Sequence, residues 1–385
     1  MSEINDLIKT LDESALLEKK FQDVKIKKLE IDERKVNIEL DKIHKDERDL
    51  ALARSANFGK MSRDQIDVII QNNEDYMEAA KNKMIFIDRV FDKIVPYFKK
   101  NLILIAGKTG DGKSTTVANI VRTTISQKNK ETGKYRTALV ITNEQLAEDF
   151  FNCITCQIKG WEYTDHGEFT PVQKEAFKTY INFLAGTGLV TVIDNEFNGS
   201  SGVTTTVEGL RAIFDSLIEK KQYYDVVIID YYQNFKFSKL NPKLNQYEVQ
   251  QQVCAVLDQY KNSYPAPIVL LAQIEPNKGK EETPYQFRIK GTKEITDKAT
   301  AAIELIADRE NLRSEWVIHK NRFQGRTVGD SCYTGYDKGQ YVPYDEPFRK
   351  KVMVYKEKKQ IELMNEVSGV AMKIKAEEKP KEKKE

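Results

Sequence analysis

At 385 residues, with 40% hydrophobic and 31% charged side chains, the chain is long enough for one large α/β core and a smaller appendage. A formal net charge of +2 excludes a globally basic protein, so any nucleic-acid contact must come from local clusters on one face. No apolar run approaches the roughly 18–20 residues of a membrane span, and the N-terminus lacks a signal-peptide pattern, so a cytoplasmic protein without membrane association is expected.

Residues 1–58 contain no Gly or Pro and are dense in Lys, Glu and Asp. Leu7, Leu11, Leu17, Phe21 and Val24, then Val36, Leu40, Ile43 and Leu50, fall at about helical spacing, which predicts a long amphipathic helix or a helical pair. Val24–Ile26 and Val36–Leu40 also alternate and fit strands around Asp32–Lys35. Such a segment is either an arm that packs on a neighbouring subunit or partner, or a cap on its own chain. Asn57–Lys60 reads as a break, and Ser62-Arg63-Asp64-Gln65 as a capping box opening a further helix. That helical stretch leads through Phe86 and Phe91 to Pro96. Residues 1–85 are thus expected to form a helical N-terminal region, 86–346 the core, and 347–385 a C-terminal helix with a charged tail.

From 101 to about 345 the pattern alternates strand and helix. The apolar strand candidates are Leu102–Ala106, Ala138–Thr142, Leu189–Ile193, Val226–Asp230, Ile268–Gln273 and Trp316–His319. This order predicts an α/β fold with a mostly parallel sheet and helices on both faces. Asn195–Thr206 is polar and contains glycine, as a surface loop does. Residues 347–368 look helical, and Ala376–Glu385, almost all Lys and Glu, is too polar to pack.

Gly107-Lys108-Thr109-Gly110-Asp111-Gly112-Lys113-Ser114 fits the pattern G-x-x-x-x-G-K-[ST], lies between an apolar strand and a helical stretch, and runs on into Thr115. Glycines let backbone N–H groups point at phosphate oxygens, and the helix N-terminus adds a field that favours anions. Lys113 is placed to reach the β- and γ-phosphates and the Ser114 hydroxyl to ligate Mg²⁺, so ATP or another NTP or dNTP with Mg²⁺ is expected.

Cys153 and Cys156 form a lone C-x-x-C, with His166 nearby in sequence; a zinc site needs more ligands at paired spacings, and two small apolar side chains on a helix is the plainer reading. Val226–Asp230 is an apolar strand ending in a carboxylate, which in a nucleotide-binding sheet supports the metal. Glu144 follows Ala138–Thr142. It is either a base for the attacking water or a helix N-terminal acid favoured by the helix dipole. Gln273, ending its strand, either senses the γ-phosphate or makes a hydrogen bond at the sheet edge.

Two loops follow those strand ends. The first, 231–243, holds Lys236, Lys239 and Lys243 among aromatics; the second holds Lys278, Lys280, Arg288 and Lys290. Cations mixed with aromatic or polar groups suit a single strand, held by phosphate neutralisation and base stacking, but also suit a solvated loop. His319–Arg326 is a basic turn between Trp316–His319 and a return strand over Thr327–Thr334. A hairpin of this kind could present Lys320 and Arg322 to the active site of the next subunit, where arginine stabilises charge developing in phosphoryl transfer.

Taken together, Ile141-Thr142-Asn143-Glu144-Gln145, Ile228-Ile229-Asp230-Tyr231-Tyr232-Gln233, Leu270-Leu271-Ala272-Gln273 and Lys320-Asn321-Arg322 stand in the order seen in DnaB-like hexameric replicative helicases, and the chain resembles the bacteriophage versions over roughly 86–345. The resemblance implies a RecA-like fold, a ring of subunits with ATP at each interface, and DNA unwinding. It also implies Lys113 and Ser114 on phosphate and Mg²⁺, Asp230 supporting the metal, Glu144 as base, Gln273 as γ-phosphate sensor, and Lys320 with Arg322 as the finger acting in trans. The two loops would line a central channel holding single-stranded DNA. The stretch Ile274–Lys278 lacks the family's Arg-rich run, and the first 85 residues match neither a zinc-binding primase module nor the usual N-terminal collar. A separate primase, loader or polymerase partner is therefore expected. A RecA-type recombinase and a nucleotide-gated loader or scaffold are the alternative readings.

Overall fold

A computed structural model describes residues 61–81, 84–87, 101–163, 169–196, 203–236, 243–275, 285–291, 293–322 and 325–377, and Glu47 besides. The expected arm over 1–58, the Asn57–Lys60 break, Phe91, Pro96, His166, the middle of the Asn195–Thr206 loop, Lys239, Lys278, Lys280 and the tail beyond Glu377 lie outside the described residues.

The chain divides into two compact units, residues 1–74 and 75–385. Helix α1 (Arg63–Lys81) opens with the expected capping box: Gln65 N–H donates to Ser62 Oγ at 3.3 Å, and Ser62 N–H to Gln65 Oε1 at 2.9 Å.

The larger unit is built on a nine-stranded sheet. Its strands are β1 (Leu102–Gly107), β2 (Ala138–Thr142), β3 (Val190–Ile193), β4 (Val226–Asp230), β5 (Ile268–Gln273), β6 (Ala301–Asp308), β7 (Arg313–Asn321), β8 (Ser331–Asp337) and β9 (Gln340–Pro343). Their order across the sheet is β3-β2-β4-β5-β1-β6-β7-β8-β9. From β3 to β6 all pairings are parallel; β6 to β9 is an antiparallel extension.

The parallel strands read as unbroken apolar runs because both faces are covered. Ile103, Ile105, Val140, Ile228 and Leu271 point to one side, against Val117 and Val121 of α2 (Lys113–Ile125) and Phe150 of α3 (Ala147–Lys159). Their neighbours Leu102, Leu104, Leu139, Val227 and Leu270 point to the other, against Phe214 of α5 (Val207–Glu219) and Val253 and Leu257 of α6 (Gln246–Ser263). Helix α4 (Pro171–Gly186) carries Phe177, which packs with Cys156 and Phe169.

Two strands depart from the sequence reading. Ala301–Asp308 holds three Ala with one Leu and one Glu, residues that favour helix locally. Hydrogen bonding on both sides overrides that preference, to β1 (Ile103↔Ala301 through Gly107↔Leu305) and to β7. The short β9 also escapes it. The return strand starts at Ser331 rather than Thr327, because Gly325–Thr327 forms a 3₁₀ turn first. The last helix, α9, runs Glu346–Glu377, past the expected end and through Ala376.

Candidate active site

Parallel pairing brings the strand ends carrying the chemistry to one edge. Gly107 pairs with Gln273, and Thr142 with Asp230. Such an edge, outside the carboxyl ends of the strands, is where open α/β sheets bind ligands.

The phosphate loop takes the form that backbone anion binding needs. Gly110 and Gly112 have φ of 89° and 85°, a left-handed conformation that side chains rarely adopt. Asp111 ties the loop to itself, its carboxylate accepting from Lys108 N–H at 2.8 Å. Lys113 is 7% exposed; its ammonium donates to the Lys108 carbonyl at 2.9 Å and the Gly107 carbonyl at 3.2 Å. Burial lowers its pKa, against the pull of Asp230, Glu144 and Asp111. Lys108, Thr109 and Gly110 are exposed, and Asp111, Ser114 and Thr115 are half-buried.

Asp230 is 2% exposed, and its Oδ1 has no hydrogen-bond partner. Burial raises its pKa to about 7, with Glu144 adding to the rise and Lys113 and a hydrogen bond from Ser114 opposing it. An orphaned carboxylate oxygen this deep, beside a serine hydroxyl, suits a divalent cation. Glu144 is exposed on the turn after β2. Thr142 Oγ1 anchors that turn, accepting from Gln145 N–H at 3.0 Å and Glu144 N–H at 3.4 Å.

Asn143 and Gln233, which carry no role in the sequence reading, organise the strand ends. Asn143 contacts Tyr231 and Thr204 through its side chain and receives Asn234 and Asn195 on its carbonyl. Gln233 brackets Gln273, accepting from its N–H at 2.9 Å and donating to its carbonyl at 3.1 Å. The signal for each was its place in a stretch that carries the resemblance, Gln233 in Ile-Asp-Tyr-x-Gln and Asn143 in Ile-Thr-Asn-Glu-Gln.

A cavity of about 320 Å³ opens beside the phosphate loop, lined by Gly110, Thr115, Arg309, Leu312, Tyr336 and Tyr341. Arg309 donates to the Gly110 carbonyl at 3.0 Å. A guanidinium and a tyrosine ring at the mouth of a phosphate cradle suit a planar heterocycle. Sequence reading missed this wall because Arg309 follows the unrecognised β6.

The expected cations separate. Lys236 and Lys243 are exposed at the two ends of the first loop. Arg288, in the short α7 (Tyr285–Arg288), is turned away from solvent: its side chain is 12% exposed and pairs with Glu304 at 2.5 Å. Lys290 stands beside Gln273, its ammonium 3.5 Å from Oε1. Arg288 does not face outward as a DNA contact requires, whereas Lys290 is exposed. Lys320 and Arg322 both reach the end of α8 (Glu294–Lys298). Lys320 donates to the Thr296 and Asp297 carbonyls at 2.7 Å, and Arg322 to the Asp297 carbonyl at 2.8 Å. Neither is near Lys113 of the same chain by any contact among the described residues.

Cys153 and Cys156 lie in α3, with thiols pushed up by burial to about 12 and about 11. Among the described residues, no group of three or more His, Cys, Asp or Glu could hold a metal ion. No described helix is long and apolar enough to cross a membrane.

A family model described as the DnaB-like helicase C terminal domain matches residues 86–329. No curated protein matches in sequence. Among solved structures, the chain is similar to one described as an ATPase domain, at 13% identity and TM-score 0.56, covering 75% of this chain and all of that one. It is also similar to a DnaB-like replicative helicase described with its interactions with primase, at 12% identity and TM-score 0.56, covering 80% of this chain and 73% of the other.

Proposed function

Since the chain belongs to the DnaB-like helicase family and is an ATP-hydrolysing replicative DNA helicase of RecA-like fold, we propose that it works as a ring of subunits with one nucleotide site at each interface. What carries the site reading is a single convergence: the buried Lys113 ammonium and the buried Asp230 carboxylate, its Oδ1 without a partner, stand at the carboxyl edge where Gly107 pairs with Gln273 and Thr142 with Asp230.

In this reading the backbone of Gly107–Thr115 and the Lys113 ammonium bind the β- and γ-phosphates of ATP. Ser114 and Asp230 hold Mg²⁺, which when bound neutralises phosphate charge. Glu144 takes the proton of the attacking water. Gln273 contacts the terminal phosphate. The base lies against Arg309 and Tyr336. Lys320 and Arg322 leave the end of α8 to serve the neighbouring subunit's site. Lys236 and Lys243 at the ends of the first loop, with Lys239, Lys278 and Lys280, neutralise DNA phosphates in the channel.

The N-terminal arm holds neighbours together; Ile66, Ile69 and Ile70 of α1 are 43%, 52% and 51% exposed and offer apolar area for it. A separate primase is the further partner, as in the solved relative whose interactions with primase are described.

The deciding experiment is ATP-dependent strand separation on a forked duplex with a free 5′ arm, beside Glu144→Gln. Unwinding by wild type alone supports the assignment. DNA-stimulated hydrolysis with no strand separation, even with primase present, speaks for strand exchange or loading instead.

A further inference from the structure

The second loop leaves and rejoins the sheet through a short two-stranded ribbon. The chain runs on from Gln273 into Ile274 and Glu275, and the returning Arg288–Lys290 lies against it. Ile274 and Ile289 form an antiparallel bridge, Glu275 N–H donates to the Arg288 carbonyl at 2.7 Å, and Lys290 N–H donates to the Gln273 carbonyl at 3.1 Å. The outgoing strand is fixed to the phosphate loop, because Ile274 N–H donates to the Gly107 carbonyl at 3.2 Å, the carbonyl that also accepts from Lys113. Lys290 therefore stands where the loop re-enters the nucleotide site, with its ammonium 3.5 Å from Gln273 Oε1.

Resting on the ATPase reading above, we infer that Lys290 is a second cation of the same subunit for the terminal phosphate of bound nucleoside triphosphate, and that Gln233 is the positioning residue that holds it there.

Gln233 is 7% exposed and its side chain touches both strands of the ribbon. Its Nε2 donates to the Lys290 carbonyl at 2.7 Å and to the Gln273 carbonyl at 3.1 Å, and its Oε1 accepts from Gln273 N–H at 2.9 Å. The pairing of β4 with β5 stops at Ile229↔Leu270, so beyond it the Gln233 amide serves as the missing strand partner. Each of these side-chain hydrogen bonds goes to the main chain of Gln273 or Lys290.

Electrostatics agrees with the geometry. The Lys113 pKa is lowered first by burial, and the Lys290 charge acts in the same direction. Two ammonium groups in one field repel, and an anion between them converts that cost into attraction. A terminal phosphate supplies that anion and a diphosphate lacks it.

The test is equilibrium binding of fluorescent ADP and of a non-hydrolysable ATP analogue, both with Mg²⁺ and without DNA, to full-length wild type, Lys290→Ala, Lys290→Arg, Gln233→Ala and the double variant Lys290→Ala/Gln233→Ala. Affinity of a labelled oligo-dT is measured in parallel. Lys290→Ala should lose about tenfold in affinity for the triphosphate analogue and less than about twofold for ADP, with Lys290→Arg retaining most of it. Gln233→Ala should shift the same ratio by about threefold, and the double variant should lose less than the two single losses combined, as expected of a residue that acts in part through Lys290 and in part through Gln273.

Equal losses for ADP and the analogue, or none, overturn the inference. So does loss of oligo-dT binding alone, which would make Lys290 a DNA contact. A Gln233→Ala variant that loses both nucleotides equally and melts earlier is merely structural. Wild type that binds neither nucleotide, or Lys113→Ala that binds both like wild type, refutes the site reading itself and the inference with it; Lys290→Ala behaving as wild type in a protein that binds both refutes only the inference.

Discussion

The side-chain amide of Asn143 brackets the main chain of Tyr231, accepting from its N–H at 2.9 Å and donating to its carbonyl at 3.1 Å. Asn143 N–H donates to the Asp230 carbonyl at 2.8 Å in turn. The residue before the proposed base is thereby locked to the strand end that carries the buried carboxylate. Asn143 is 6% exposed, so removal of its amide leaves the Tyr231 N–H without this acceptor and its carbonyl with only the 3.4 Å bond from Asn234 N–H.

Asn143→Ala is expected to cost about 2 kcal/mol of stability and, separately, to lower kcat for ATP with little change in KM. Urea unfolding and steady-state hydrolysis measure the two. A variant destabilised as stated but with unchanged kcat would show that Glu144 does not depend on this lock.

Arg322→Ala is expected to bind ATP close to wild type and to lose hydrolysis by about 10³-fold. The contrast with Lys113→Ala is informative, since that change removes the buried ammonium from the subunit's own phosphate loop and should abolish turnover outright. Hydrolysis at the wild-type rate in Arg322→Ala would leave the Asp297 carbonyl as the guanidinium's working partner, and the trans-acting assignment would fail.

The neighbouring Lys320 adds a pH dependence. Burial lowers its pKa to about 8, with Arg322 and Lys261 acting in the same direction and Asp297 against. The ammonium is therefore lost as pH rises through about 8. If it stabilises charge in trans, kcat/KM, which reports the free enzyme, falls over that range. Lys320→Arg keeps its charge and should stay flat to about pH 9. Parallel profiles for the two proteins would count against a role for this charge.

These assignments differ in how openly the sequence carried them. Lys113, Asp230, Glu144 and Gln273 each follow an apolar run, and once those runs pair in parallel their ends must share an edge. Hydrophobic pattern alone therefore brought the candidate site together. The wall holding Arg309 was invisible because Ala301–Asp308 has helical composition and becomes a strand only between two partners. Arg288 and Lys290 looked alike as loop cations. What separates them is a carboxylate at Glu304 and an amide at Gln233, one from a distant strand and one from a distant turn, and spacing in the sequence gives no hint of either contact.

Glu304 itself supports a prediction about stability. Its side chain is 5% exposed and accepts from Arg288 and from His319 Nε2, the latter at 2.9 Å, while Tyr285 stacks on His319 with ring centroids 4.0 Å apart. Burial pushes the Glu304 carboxyl up, but the hydrogen bonds from His319 and Arg288 more than offset it, and its pKa lies below the usual 4.5. A carboxyl whose pKa is depressed by folding contributes stability that is present above its unfolded pKa and is lost as pH falls through the folded value. Glu304→Gln leaves Arg288 buried without its counter-charge, so it is expected to cost about 3 kcal/mol at pH 7. The gap to wild type should narrow as pH falls below about 4.5, where the carboxyl of the unfolded chain begins to take up a proton, and should go on narrowing as pH falls through the lower folded value. Urea midpoints of the two proteins at pH 7 and near pH 3.5 test this. A gap that is small at pH 7, or that does not shrink in acid, would mean that packing around Tyr285, rather than the ionised carboxyl, holds the base of the second loop to the strand that leads to Lys320.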